Sequence, residues 1–165
     1  MKPLGMSKIE ILIVAAIIGI LGLAAVVAVS TARSRTRDAV RLGDVFQIQT
    51  SLEYHFLDHN AYPVVTDELP IGSPSAACLS NQGWSASCEG DEDVYLTAAP
   101  FNPTSGLDDL SGCDGYSNAY CFVSDGEGYR LEFELEHANA LLELEGGVNC
   151  ASEDGVKSGS CLSLP

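Results

Sequence analysis

One carboxylate lies alone in a long apolar stretch of the chain. Glu10 is flanked by Ile9 and Ile11, and the nineteen residues from Ile11 to Val29 are uncharged and mostly aliphatic. The next charge along the chain is Arg33. An unpaired carboxylate in such surroundings is energetically expensive and marks a functional position by default. Glu10 therefore needs a cationic partner that its own apolar segment does not supply.

Three aspartates in a glycine-rich loop are candidate calcium ligands. Asp108, Asp109 and Asp114, with Asn118 and nearby backbone carbonyls, offer the hard oxygen atoms that Ca²⁺ binds. Their spacing does not match an EF-hand loop. A solvated acidic loop is the simpler interpretation, and a calcium-dependent melting temperature would distinguish the two.

No group of residues predicts catalysis. His55 and His59 are four residues apart on a predicted helix, but they lack the H-E-x-x-H context of a zinc protease, so we do not expect a metal site there. No serine lies in a G-x-S-x-G turn, and the glycines form no phosphate-binding loop. We therefore expect a protein that is not an enzyme and requires no cofactor.

Six cysteines, none in a C-x-x-C or C-x-x-H pattern, predict disulfides rather than zinc binding. Fifteen connectivities are open from the sequence. Sequential pairing closes three short loops and is the one we favour: Cys78 with Cys88, Cys113 with Cys121, and Cys150 with Cys161. Disulfides imply an oxidising location outside the cytoplasm.

The apolar stretch around Glu10 is long enough to cross a membrane, since about 20 apolar residues span a hydrocarbon core of about 30 Å. A cleaved secretory signal would have a shorter apolar region and no acid within it. A plain membrane anchor explains the length but leaves Glu10 without a role. The basic residues after the span would place the distal domain inside the cell by the positive-inside rule. The cysteines argue for the outside, and we follow them.

The helical pattern continues beyond the span. No proline interrupts residues 6–60, which predicts one helix of about fifty residues and about 80 Å that ends at Asn60 and Pro63. Its distal half has an apolar face that must pack against the rest of the chain. The residues of that predicted face are Leu42, Val45, Phe46, Gln49, Leu52 and Phe56.

The remaining chain predicts a small disulfide-bonded head. Residues 64–115 are rich in proline, glycine and serine, so we expect little regular structure there. Within this region, residues 94–96 could form a strand or a helical turn. We expect Trp84 to anchor its loop by packing. Strands are predicted at 120–123, 129–136 and 140–145, within a sheet at 119–145. The alternation in the second strand places a row of glutamates on a face expected to be solvated: Glu132, Glu134 and Glu136.

Charge is distributed very unevenly along the 165 residues. The net charge is −15, and residues 42–165 hold 21 of the 23 acids but only Arg130 and Lys157 as bases. Such a head repels phosphates and anionic lipid, so nucleic acid is not an expected partner.

The first residues resemble a known processing signal. Gly5-Met6-Ser7-Lys8-Ile9-Glu10 followed by the aliphatic run is similar to the class III signal of type IV pilins and type II secretion pseudopilins. Residues 37–63, which close on Tyr62-Pro63, are also similar to this family. Met6, where the family usually has phenylalanine, and the lack of a proline within the apolar helix are departures from its pattern.

The resemblance implies a processing and assembly route. A prepilin peptidase would cut after Gly5 and methylate the new amino terminus at Met6. Glu10 would then pair with the α-ammonium of Met6 in a neighbouring copy, which sets the register of one subunit on the next. Gly19 and Gly22 are the places where the helix would loosen in a filament, because glycine is a weak helix former. An assembly ATPase and a platform membrane protein are the further partners implied, and calcium binding in the head is known among the major pseudopilins.

Together these features predict an α+β pilin fold, with one long helix on a small three- to four-stranded antiparallel sheet. The expected parts are a leader at 1–5, a membrane-spanning and polymerising half-helix at 6–32, and a head at 33–165 that includes the amphipathic half-helix at 33–60. The expected function is a subunit of a type IV pilus-like helical homopolymer, in the cytoplasmic membrane before assembly and at the cell surface afterwards. A pseudopilin or minor pilin stays open, as does a monomeric membrane-anchored extracytoplasmic binding or sensor domain.

Overall fold

A single continuous helix organises the molecule. The computed structural model describes residues 7–103, 106–107, 110, 112–113 and 115–161. Helix α1 (Lys8–His59) has 52 residues, which at 1.5 Å per residue is about 78 Å. It ends where Asn60 adopts a left-handed conformation with φ 54°, and the Asn60 N–H donates to the carbonyl of Phe56. The predicted long helix and its end are confirmed.

The distal half of α1 presents one buried stripe to the head. The stripe begins at Ser34 and recurs at three- and four-residue steps, as expected for a helix with one packed face. Its apolar members are Leu42, Val45, Ile48 and Leu52. The prediction was wrong at Phe46, which is 44% exposed, because Phe46 is rotated about 100° from Val45 around the helix axis.

Within the described residues, ten short strands follow the helix and form three antiparallel sheets. The strands are β1 (Val65–Ile71), β2 (Cys78–Ser80), β3 (Gly83–Ser85), β4 (Val94–Leu96), β5 (Gly112–Cys113), β6 (Tyr116–Ser117), β7 (Tyr120–Ser124), β8 (Tyr129–Leu135), β9 (Gly147–Ser152) and β10 (Gly155–Ser158). The main sheet has five strands in the order β1-β7-β8-β9-β10, so it is larger than the predicted three or four. Strands β3-β2-β4 form a second sheet, and β5-β6 a third.

The strand predictions succeeded for β7 and β8 and were wrong on either side of them. Residues 140–145, predicted as a strand, form turns with a single bridge between Asn139 and Leu144, and the third strand is β9. The region 64–115 contains β1 to β5 instead of being mostly irregular. Strand β1 was not predicted because it contains Pro70, which has no backbone N–H to donate to a neighbouring strand. The strand can form because β1 lies at the edge of the main sheet, where proline is tolerated.

The core lies between α1 and one face of the main sheet. Leu131, Phe133 and Leu135 of β8 are 0–1% exposed and belong to the same cluster as the buried stripe of α1. Trp84 packs on this core edge-to-face with Phe122, at 5.8 Å between ring centroids, which is the anchoring role expected for it.

The row of glutamates on β8 is buried, which corrects the prediction of a solvated face. Glu132 and Glu134 are only 4% and 1% exposed, because loops cover the second face of the sheet. Glu132 accepts hydrogen bonds from the Ser160 hydroxyl and the Cys161 N–H, and Glu134 accepts one from the Leu110 N–H. These carboxylates therefore fasten the covering segments to the sheet. Alternation along the strand gave no sign of that cover.

Candidate assembly surface

No residue of the proximal half of α1 is buried against the part of the head that the structure describes. Every residue from 7 to 33 is exposed, including thirteen large aliphatic side chains between Ile9 and Val29 that are 44–73% exposed. The largest exposed apolar patch on a typical soluble monomer is about 300–600 Å². The apolar area exposed by these side chains on one helix is larger than that. Water is therefore not the environment in which this surface is stable.

Helix α1 is the one helix in the described ranges that is long and apolar enough to cross a membrane. Its most apolar 18-residue window has a mean hydropathy of 3.0 and none of it is buried in the chain. The helix can thus serve as a membrane anchor.

Glu10 lies in the first turn of α1. Among the residues the structure describes, no Lys, Arg or His nitrogen lies within ion-pair distance of its carboxylate. Gly5 and Met6, the predicted processing residues, are outside the described residues. Gly19 and Gly22 lie within the unbroken helix, and a Cβ at either position would meet no neighbouring atom. A single copy of the chain therefore requires glycine at neither position.

A buried ionic cluster joins α1 to the head just beyond the exposed half. We call Arg37, Asp38, Arg41, Glu136 and His137 the neck cluster. Arg41 is 0% exposed, and its Nη1 donates to Asp38 Oδ1 at 2.7 Å and to Glu136 Oε1 at 2.8 Å. Arg37 makes a two-pronged contact with the same glutamate, at 2.6 Å and 2.5 Å. Two guanidinium groups thus bind one carboxylate at the end of β8.

The remaining contacts of the neck cluster fix the strand end and a loop on the helix. The backbone N–H groups of Glu136 and His137 donate to the Asp38 carboxylate at 2.9 Å and 3.0 Å. Arg41 also donates to the Asn102 side chain and to the Pro103 carbonyl. The bond from Arg37, with further help from Arg41, holds the pKa of Glu136 below its ordinary value. This cluster sets the direction in which the apolar rod leaves the head.

Sequence reasoning recognised part of the neck cluster. Asp38 and Arg41 are three residues apart in the sequence, a spacing that favours an ion pair on a helix surface, and the structure contains this pair as a buried contact. Glu136 was assigned to solvent. One sequence signal could have predicted the buried cluster. Asp38 and Arg41 lie on the same face of the helix as the apolar residues that follow them. Charged side chains on a buried helix face need partners from elsewhere in the chain.

The cysteines form three disulfides, Cys78–Cys88, Cys113–Cys121 and Cys150–Cys161. They are the sequential pairs favoured above. The first encloses the β2–β3 hairpin, the second joins β5 to β7, and the third holds the last described residue to β9. The head is thus covalently fastened at three places on its periphery.

The predicted calcium ligands Asp108, Asp109 and Asp114 lie outside the described residues. Glu68 with Cys113 and Cys121 forms a close group of potential ligand atoms, but both sulfurs are in a disulfide and are not thiolates. His55 and His59 are stacked at the distal end of α1, with 4.4 Å between ring centroids. The structure therefore leaves the calcium prediction open and brings the two histidines together.

No family model, no curated protein and no solved structure matches this chain. The class of protein must therefore be inferred from its residues and geometry. Those define an α+β head carried on a helix whose other half is apolar and unpacked.

Proposed function

We propose that this chain is a subunit of a type IV pilus-like filament, assembled through the proximal half of α1. The observation that carries the proposal is that residues 7–33 are all exposed and mostly apolar, with no charge between Glu10 and Arg33, while the same helix is packed into a head from Ser34 onward. A rod of this kind is stable in lipid or against other rods. Lipid serves before assembly, and neighbouring copies replace it in a filament.

Glu10 supplies the reason to favour assembly over simple anchoring. A carboxylate among aliphatic side chains costs little only when an opposite charge and hydrogen-bond donors reach it. The partner we propose is the α-ammonium of Met6 in an adjacent copy, after cleavage behind Gly5. Such a pair fixes register more than it adds stability, because a slip along the rod separates both charges from their partners. Repetition of one such contact between identical copies generates a helical polymer.

The proposal implies a membrane precursor and an extracytoplasmic product. The three disulfides fit an oxidising compartment for the head. The partners are other copies of the chain, with a prepilin peptidase, an assembly ATPase and a platform membrane protein acting on it. The strongly acidic head disfavours nucleic acid as a ligand of its surface.

The test compares Glu10→Ala with a charge control on the head. We expect Glu10→Ala to leave the protein in the membrane and to abolish or disorder its filaments in electron micrographs. Asp154→Asn removes a charge from a 75% exposed side chain and should give normal filaments. Normal filaments from Glu10→Ala would refute the pairing.

Mass spectrometry of protein from its native cells separates the proposal from a monomeric anchored binding domain. A filament subunit should begin at an N-methylated Met6. An anchored binding domain would retain Met1. Fibre length then decides between a long surface pilus and a short periplasmic fibre of the secretion pseudopilin kind.

A further inference from the structure

Two arginines at the end of the apolar half of α1 have no counter-charge in the described part of the head. Arg33 and Arg35 are exposed, and neither forms an ion pair with any residue that the structure describes. We call these two residues the arginine collar. Arg37, two residues further on, is bound to Glu136 and belongs to the neck cluster. The collar therefore offers two guanidinium groups to a partner other than its own head.

The collar is unexpected on the side of the span that carries the head. Basic residues beside a span favour the cytoplasmic side of a membrane, whereas the three disulfides fit an oxidising compartment for the head. The head itself has the opposite charge, since residues 42–165 hold 21 acids and only Arg130 and Lys157 as bases. Cations retained between an apolar span and an acidic head indicate an anionic partner at that level of the helix.

The length of the uncharged helix places the collar at the depth of lipid headgroups. The 22 residues from Ile11 to Ala32 carry no charge and extend over about 33 Å, close to the hydrocarbon core of about 30 Å. Lys8 and Arg33 are about 38 Å apart along the helix, and a bilayer with its headgroups is about 40–45 Å thick. The flexible stems of lysine and arginine let their charges extend outward to the headgroups. Lys8 thus reaches the headgroups of one leaflet, and the collar reaches those of the other.

The arrangement of the collar around the helix favours lipid over a protein partner. Adjacent residues of an α-helix are about 100° apart around the axis, so Arg33 and Arg35 lie on nearly opposite sides of α1. They are only about 3 Å apart along the axis. A single protein partner docks on one side of a helix and would reach one of the two. A lipid leaflet surrounds a spanning helix, and its phosphates reach both sides at the same depth.

We propose that the arginine collar binds the phosphate groups of lipids in the extracytoplasmic leaflet while the subunit is in the membrane. Guanidinium groups form paired, charge-assisted hydrogen bonds with phosphate oxygens. With Lys8 at the other leaflet, these bonds fix the depth of the span and therefore the depth of Glu10. They also hold in place a head whose own acidic surface is repelled by anionic lipid. The inference rests on the membrane precursor in the proposed function and does not require a filament.

The experiment uses the uncleaved full-length chain in bilayers of phosphatidylcholine and phosphatidylglycerol. Its five arginines are labelled with ¹³C at the guanidinium carbon. Solid-state NMR measures how strongly the lipid ³¹P dephases this ¹³C signal, which requires a guanidinium group close to a phosphate. We expect clear dephasing in the natural chain. The double variant Arg33→Gln, Arg35→Gln should lose almost all of it, because the other arginines belong to the neck cluster or to the sheet.

Arg130→Gln is the matched control. Arg130 lies in the main sheet with a side chain that is 29% exposed, and its loss should leave the dephasing unchanged. Both collar residues are exposed, so the double variant should unfold at the same denaturant concentration as the natural chain, which shows that its head is intact.

Flotation of the vesicles establishes insertion before the NMR measurement. A chain that inserts but shows no dephasing, or dephasing that persists in the double variant, would overturn the collar and leave the membrane precursor standing. Contact of the collar guanidinium carbons with carboxylates of another copy in place of phosphate would also overturn it. A chain that does not insert would refute the membrane precursor and the collar together. Normal filaments from Glu10→Ala would refute the Glu10 pairing and leave the collar unaffected.

Discussion

Replacement of Arg41 by methionine should destabilise the head more than the loss of any other cation of the helix. Methionine keeps most of the length and apolar volume of the side chain but removes the charge and all its donors. Arg41 is 0% exposed and donates to Asp38, Glu136, Asn102 and the Pro103 carbonyl. The substitution leaves buried carboxylate and carbonyl oxygens without that donor, which is a costly class of change.

The magnitude follows from what the neighbours retain. Breaking a buried ion pair by removing one partner costs about 3–5 kcal/mol. Asp38 keeps two backbone N–H donors, and Glu136 keeps Arg37, so we expect the low end, about 3 kcal/mol for Arg41→Met. Arg37→Met should cost about 1 kcal/mol, because the Arg37 side chain is 31% exposed and its loss leaves Glu136 with Arg41. For a head of this size, 3 kcal/mol lowers the melting temperature by about 10 °C.

Guanidinium unfolding of the full-length chain in detergent micelles measures the effect. The fluorescence of Trp84, which packs against Phe122, reports on the head. Arg35→Met is the control, since Arg35 is exposed and makes no ion pair with any described residue; its change should be within about 0.5 kcal/mol. If Arg41→Met were no more damaging than Arg35→Met, or less damaging than Arg37→Met, the neck cluster would not hold the helix to the head.

Three further predictions concern the head. Because the pKa of Glu136 is lowered in the fold, its ion pairs stabilise the protein fully above the ordinary carboxyl pKa of 4.5, and this stabilisation is lost as the pH falls through the folded-state pKa. Glu136→Gln should therefore have a lower melting temperature than the natural chain at neutral pH. Its melting temperature should also fall less steeply as the pH is lowered. Leu52→Ala, at 0% exposure, should cost about 2–5 kcal/mol in denaturant unfolding, against almost nothing for Leu57→Ala at 75% exposure. Replacing Cys150 and Cys161 together by serine should cost about 3 kcal/mol for a separation of 11 residues, and an unchanged melting temperature would contradict the loop-entropy estimate.

Local sequence signals predicted the long helix, two of the strands and the exposed apolar rod. Fifty residues without proline followed by Asn60 and Pro63 determine where a helix can persist and where it ends. Alternation fixed β8, because the side chains of a strand point to opposite faces in turn. Each of these signals depends on residues close together in the sequence.

The predictions failed where distant segments meet. The row of glutamates in β8 looks solvated when the strand is considered alone, yet Ser160 and Cys161 hydrogen-bond to Glu132, Leu110 hydrogen-bonds to Glu134, and both carboxylates are buried. Strand β1 forms because β7 offers it a ladder, despite Pro70. The stacking of His55 on His59 depends on the helix end and on the turn that brings in Ala61.

The sequence by itself determined that this protein has a long apolar helical segment with a single acid, Glu10, at its start. Hydrophobicity and charge spacing are properties of neighbouring residues in the chain and do not depend on which distant segments pack against them. Only the tertiary structure decided that Arg41, Asp38 and Glu136 form one buried cluster, that the main sheet has five strands, and that two histidines share the wall of a cavity. The physical reason is that burial of a charge depends on long-range contacts. A carboxylate on a strand is solvated or buried according to which loops cover it, and the sequence of the strand does not show which loops these are.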